Sequence, residues 1–255
     1  MMMRTVLVHY HVFKNAGTTI DGILENTFGR GWRPFEGAGS ASKLSENDLL
    51  SFLRKNEDVK AVSSHHLIFS VPQDGSLRIF PILFIRHPID RVRSIYEFER
   101  KQGILNGPVS KGAEHAARLS FSDYLNWRLD GSVNGVVHNC QSAYVLGSSR
   151  YARHEMGRSD YDRAVEIMSR LPFVGIVERF DDSLLNLVKL LRGLSIHLVA
   201  DYCAKNVNET REEDMLKRLD RTRLELGDAV WARLLDRNKW DMALYEWALS
   251  RVSIG

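Results

Sequence analysis

Two cysteines in 255 residues are too few for a disulfide scaffold, and Cys140 and Cys203 lack metal-type spacing. Neither a cysteine-based zinc site nor a stapled secreted domain is implied, and a reducing compartment fits. No apolar run approaches the roughly 20 residues of a membrane-spanning helix. The first residues, MMMRTVLVHYHVF, lack the apolar core and cleavage site of a secretory signal. The expectation is a soluble, cytoplasmic protein with no membrane span. Charge of one sign is also scarce: a net +3 does not indicate nucleic acid as a partner, but leaves room for a local basic pocket. Internal repeats, low-complexity segments and an interdomain linker are absent. What is present, 44% hydrophobic and 26% charged residues, is ordinary for a globular chain. The length suits one α/β domain over residues 1–255 with a sizeable core.

The most informative stretch is Thr5 to Ile20, TVLVHYHVFKNAGTTI. A β-branched apolar run (Thr5 to Val8) reads as a buried strand. A loop carrying Lys14, Asn15, Ala16, Gly17, Thr18 and Thr19 follows, and then a helix from Thr18 to about Thr27. A helix N-terminus offers free N–H groups and a positive dipole end. Gly17 permits close approach of backbone to a phosphate, Thr18 and Thr19 add hydroxyls, and Lys14 adds a point charge. The pattern differs from a Walker A loop, G-x-x-x-x-G-K-[ST]: Lys14 precedes Gly17 by three, with no glycine upstream.

Further along, Gly29 to Ser42 reads as a polar loop or flap. Ser45 and Asp48 form a capping box ahead of a helix through Leu53. Val59 to Ser64 is a short strand running into His65 and His66. Ile79 to Ile85 is a near-continuous apolar run, as a central parallel strand requires, with Pro81 an oddity near its start. Arg86 then stands at a strand's C-terminal end. Pro88 suits the first turn of a helix over Ile89 to Lys101, with Ile89, Val92, Ile95 and Tyr96 on one face and Asp90, Arg91, Arg93, Ser94 and Glu97 on the other. Gln102 to Leu119 reads as a long loop. Helices are expected at Phe121–Leu129, Val136–Leu146, Ser159–Leu171, Leu184–Leu191 and through Asn208–Val252. Strands are expected at Phe173–Val177 and Ile196–Tyr202. In parallel sheets ligands bind outside the carboxyl ends of strands, where Lys14, His65 and Arg86 emerge. The fold class is α/β, with a three-layer architecture: a central parallel sheet flanked by helices, and a helical C-terminal part.

Several of these stretches, in order, resemble the sulfotransferases that use 3′-phosphoadenosine 5′-phosphosulfate (PAPS). The likeness is to the branch containing heparan-sulfate O-sulfotransferases and their bacterial relatives. FKNAGTT (Phe13 to Thr19) resembles that family's 5′-phosphosulfate loop, and FIRHPIDRVRSIY (Phe84 to Tyr96) its R-x-P-x-x-R-x-x-S-x-Y motif for the 3′-phosphate. SSHH (Ser63 to His66) resembles the segment supplying a catalytic histidine. HNCQSAYVLG, FVGIVERFDDSL and NKWDMALYEWA resemble later elements. Phe13 stands where the family has Pro, Asn15 where it has Thr or Ser, and Ala16 in place of one glycine.

The resemblance implies a P-loop-like fold and transfer of a sulfuryl group from PAPS to a hydroxyl, with PAP as product and no metal required. The implied acceptor is a carbohydrate or glycolipid. Lys14 would neutralise the bridging oxygen, and Asn15 to Thr19 would hold the 5′-phosphate. Arg86 and Ser94 would hold the 3′-phosphate. His65 or His66 would be the base, with His65 preferred because it follows the two serines. His9, His11 and His87 read as structural or surface residues. Asn139, Gln141, Arg179 and Asn208 rank second as ligand contacts. The alternatives are a P-loop kinase or NTPase, against which the missing Walker A glycines and Mg²⁺-binding Asp count, and a non-catalytic nucleotide-binding protein.

Overall fold

The computed structural model describes residues 3–39, 41–107, 109–130, 135–148, 155–200 and 214–251. Five parallel strands form its sheet: β1 (Arg4–Tyr10), β2 (Trp32–Pro34), β3 (Ala61–Ser64), β4 (Leu77–Ile85) and β5 (Gly175–Ile176), in the order β2-β3-β1-β4-β5. The chain fills the β3 side of β1 first and then crosses to the β4 side. The order therefore reverses at the C-terminal end of β1, the place where open parallel sheets hold ligands.

Alternation along the strands sorts the core into layers. Val6, Val8 and Tyr10 of β1 and Ile79, Leu83 and Ile85 of β4 point to one face. There they meet α2 (Glu46–Lys55), α7 (Arg158–Ser169) and α10 (Lys239–Leu249) through Leu49, Leu53, Met168 and Leu244. Leu7, Phe80, Ile82 and Phe84 point to the other face, against Ile20, Ile23 and Leu24 of α1 (Gly17–Phe28) and Leu184, Leu187 and Leu191 of α8 (Phe180–Arg192). A third cluster joins α3 (Pro88–Asn106), α4 (Lys111–Arg118), α5 (Phe121–Arg128) and α9 (Met215–Arg237) beside the sheet. Pro81 is tolerated because β4 has only β1 beside it there; β5 pairs no earlier than Phe84.

Four segments differ from the sequence expectation. The Gly29–Ser42 loop contains β2, an edge strand in register with Ala61 to Ser63. Gln102–Leu119 is largely helical: α3 runs on to Asn106, and α4 follows after Ser110, which caps it by accepting from Ala113 N–H. Its close packing is made by small residues; a β-carbon at Gly103 would collide with the Ala113 carbonyl. Small contacts carry no long apolar period to read. The expected helix Val136–Leu146 is split at Asn139, left-handed at φ 41°, so that α6 spans only Cys140–Val145. Residues 196–200 form no strand, and residues 201–202 of that expected element lie outside the described residues, as do Cys203 and Asn208.

Candidate functional site

The loop between β1 and α1 is a tight, bent cradle. Lys14 (φ 67°) and Ala16 (φ 61°) both hold left-handed backbone without being glycine. Such conformations cost about 1–3 kcal/mol each and cluster at ligand sites. Ile20 N–H returns to the Ala16 carbonyl as the first helical bond (3.3 Å). The N–H groups of Gly17 and Thr18 precede that bond and have no acceptor among the described residues. Gly17 is glycine for a steric reason: a β-carbon there would lie inside the His11 ring. Asn15 differs from expectation in orientation. Its side chain is buried, and its amide donates to the Phe84 carbonyl (2.7 Å) and to Gln141 Oε1 (2.7 Å), so it ties the loop to β4 rather than facing a ligand. Thr18 is exposed and Thr19 buried.

Beside this cradle lies a cluster of histidines and carboxylates. His9, on β1, and His11, just past its C-terminal end, share one carboxylate. His9 Nδ1 is 2.8 Å from Asp21 Oδ1, and His11 Nδ1 is 3.1 Å from Asp21 Oδ2. Burial alone would raise the Asp21 carboxyl, but the hydrogen bonds from His11 and His9 outweigh it and hold the group well below the carboxylate range. Burial pushes His11 down to about 4, so the ring is neutral near pH 7. The His65 ring lies against that of His11, centroids 3.7 Å apart and planes tilted by 31°. Glu36, from the segment after β2, accepts from the backbone N–H of His65 (2.9 Å) and lies 2.8 Å from its Nδ1. Burial works to raise Glu36; the His65 bonds reverse this and lower it. The other Glu36 oxygen is 2.8 Å from His66 Nδ1, which also receives the Gly37 N–H at 3.1 Å. His66 Nε2 is buried without a partner among the described residues, whereas the His65 side chain keeps 34% of its surface exposed.

The third wall comes from the β4–α3 junction. Arg86 is buried in a network: its Nε and Nη2 donate to Asp90 Oδ2 (3.0 and 2.7 Å), and its Nη1 donates to the Lys14 carbonyl (2.8 Å). Arg218 of α9 donates to the other Asp90 oxygen at 2.8 Å. Arg86 therefore braces the cradle and is held by an internal carboxylate. Ser94 is half-buried, and Phe98 one turn later carries the Lys14 ammonium 4.6 Å from its ring centre. Arg91, expected on the polar face, is fully buried and clamps the carbonyls of Phe13 and Val136 (3.0 Å each).

Lys14, Gly17, Thr18, His65 and Arg86 are thus brought together at the C-terminal ends of β1, β3 and β4. The ligand contacts ranked second divide. Gln141 accepts from Asn15 and Arg86 N–H and donates to the Arg86 carbonyl (2.8 Å), bridging the β1 and β4 loops. Asn139 instead accepts from Trp240 and Asp241 N–H, capping α10. Sequence reasoning missed Asp21 and Glu36. For Asp21 a signal existed: H-x-H on a strand with an acid one turn into the next helix. For Glu36, in an irregular segment, there was none.

No family model matches this chain. A protein of Archaeoglobus fulgidus, described as "Uncharacterized protein", is 30% identical over 256 aligned residues, which cover 96% of each chain. The chain belongs to the same family as that archaeal protein.

Proposed function

We propose that the protein is a sulfotransferase that moves the sulfuryl group of PAPS to a hydroxyl of a carbohydrate or glycolipid acceptor. The observation carrying this reading is the meeting of an anion cradle, a lysine and a carboxylate-held histidine at the switch point of a parallel sheet. Unpaired N–H groups at Gly17 and Thr18, fixed backbone at Lys14 and Ala16, and the α1 dipole suit the 5′-phosphate. The fit for the 3′-phosphate is narrower. Arg86 is pledged to Asp90, so phosphate binding there exchanges one anion for another or uses Ser94 with the cradle-bracing Arg86 left in place.

Transfer is an in-line displacement: the S–O bond to the acceptor forms as the S–O bond to the 5′-phosphate breaks. Catalysis is then positioning and charge stabilisation. Lys14 meets the charge that develops on the leaving phosphate oxygen. His65, with Nδ1–H held by Glu36, presents Nε2 to take the acceptor's proton, the same division of labour as an oriented base in a catalytic triad. His65 is preferred over His66 because its side chain is one-third exposed, whereas His66 Nε2 is buried.

The test is transfer of labelled sulfate from PAPS with purified variants. Lys14→Ala and His65→Ala are each expected to lower the rate at least about 100-fold, the usual worth of a positioned acid–base group, with PAP binding kept in His65→Ala. Equal rates for His65→Ala and the natural chain would sink the base assignment.

A further inference from the structure

The sulfotransferase reading leaves His9, His11 and Asp21 without a task, although two buried imidazoles converge on one part-buried carboxylate. Their ligand atoms lie within 4.8 Å of one another, and the contacts on Asp21 are 2.8 and 3.1 Å. Donor atoms around a cation with bonds of about 2.0–2.2 Å stand roughly 3 Å apart. Ser63 Oγ lies 3.2 Å from His9 Nδ1, an oxygen already on the same side. We propose that His9, His11 and Asp21 form a binding site for a divalent first-row transition cation of the zinc class.

Three features favour a cation over an inert hydrogen-bonded trio. Imidazole with one carboxylate suits zinc, iron(II) and cobalt rather than magnesium or calcium. His9 lies on the central strand β1, His11 just past its C-terminal end, and Asp21 one turn into the helix that follows, so three consecutive parts of the packed β1–α1 unit supply the set. A dication against one carboxylate leaves a net positive charge beside the Gly17 cradle, where an anionic oxygen can complete the coordination. The ring of His65 lies against His11, centroids 3.7 Å apart. This proposal does not rest on the sulfotransferase reading.

The experiment uses the full, tag-free chain, stripped with a chelator and titrated with Co²⁺ while visible absorption is followed. Zn²⁺ competition and elemental analysis give affinity and stoichiometry. The expected result is one equivalent per chain with ligand-field bands that zinc removes, and a loss of affinity of about 100-fold or more in His9→Gln and in Asp21→Asn, larger than the usual effect of an outer-shell change. His115→Gln, on α4, should bind as the natural chain does. Melting curves of the metal-free variants check folding. Should either variant fail to fold, the natural chain alone decides: no bands at one equivalent overturns the site. Binding that survives in both folded variants overturns it equally. PAP binding is measured separately on the chelator-treated chain, so failure of the metal site and failure of the nucleotide reading are told apart.

Discussion

Ala16 shows how much one side chain can reveal. An L-residue at φ 61° is strained, and glycine would relieve it. Ala16→Gly should therefore raise stability by about 1 kcal/mol, net of glycine's greater freedom in the unfolded chain; a lower urea midpoint than the natural chain would contradict this. His87 gives a second prediction. Burial first, and then the charges of Arg218 and Arg86, push it down to about 4 against the opposing pull of Asp90. The fold thus favours the neutral ring, and the unfolded chain takes up the proton first as pH falls. This stability is complete above about pH 6.5 and is lost between there and about pH 4. At 1.36 kcal/mol per decade, that window amounts to about 3 kcal/mol. His87 packs edge-on against Tyr245, ring centroids 5.2 Å apart, so His87→Phe keeps a ring while removing the proton site. Its urea midpoint should fall less between pH 7 and pH 4.5 than that of the natural chain; parallel falls would refute the assignment. The position of the cradle was legible from sequence because a buried strand followed at once by a helix start leaves free N–H groups beside Lys14, Gly17 and Thr18. Orientations were not: Asn15 points inward because the Phe84 carbonyl and Gln141 Oε1 both accept from its amide, and both are distant in sequence.

At the scale of elements, the cradle depends on α6, a helix of six residues. Asp241, at the start of α10, accepts from the N–H groups of Gln141 and Ser142 (3.0 and 2.7 Å) and from the Ser142 hydroxyl (2.6 Å). Gln141, so held, reaches both Asn15 and Arg86. Elements more than 100 residues apart thereby fix one loop. Gln141→Ala leaves the buried Asn15 amide short of one acceptor and the Arg86 N–H without one, and should cost about 2–4 kcal/mol. It should also weaken PAP binding, measured by titration calorimetry; unchanged affinity would show that the loop holds its shape without this bridge. The long, periodic elements were readable: the strands flanking β1, the capped α2 and the buried face of α3. The α3–α4 hairpin was not, because it packs through Gly103 and Ala113 rather than through an apolar stripe. Nor was β2, whose three residues pair only with β3.

At the scale of the whole molecule, the order β2-β3-β1-β4-β5 does what no local pattern could promise. It sets the C-terminal ends of β3 and β4 on either side of β1, so that His65 and Arg86 flank the Lys14 cradle. The alternation of strands and helices made a parallel sheet legible, while the meeting of Glu36 with His65 depended on a segment with no period at all. No helix among the described residues is long and apolar enough to cross a membrane. The central claim is that this arrangement binds a 3′-phosphorylated adenine nucleotide as the sulfuryl donor's product. A thermal-shift titration with PAP, ADP and ATP, with and without Mg²⁺, tests it most directly, because a ligand that binds the folded chain raises its melting temperature by mass action. A rise with PAP that is indifferent to Mg²⁺ and exceeds that with ADP or ATP is the predicted result. A rise with ATP that requires Mg²⁺, or none with any nucleotide, would contradict it.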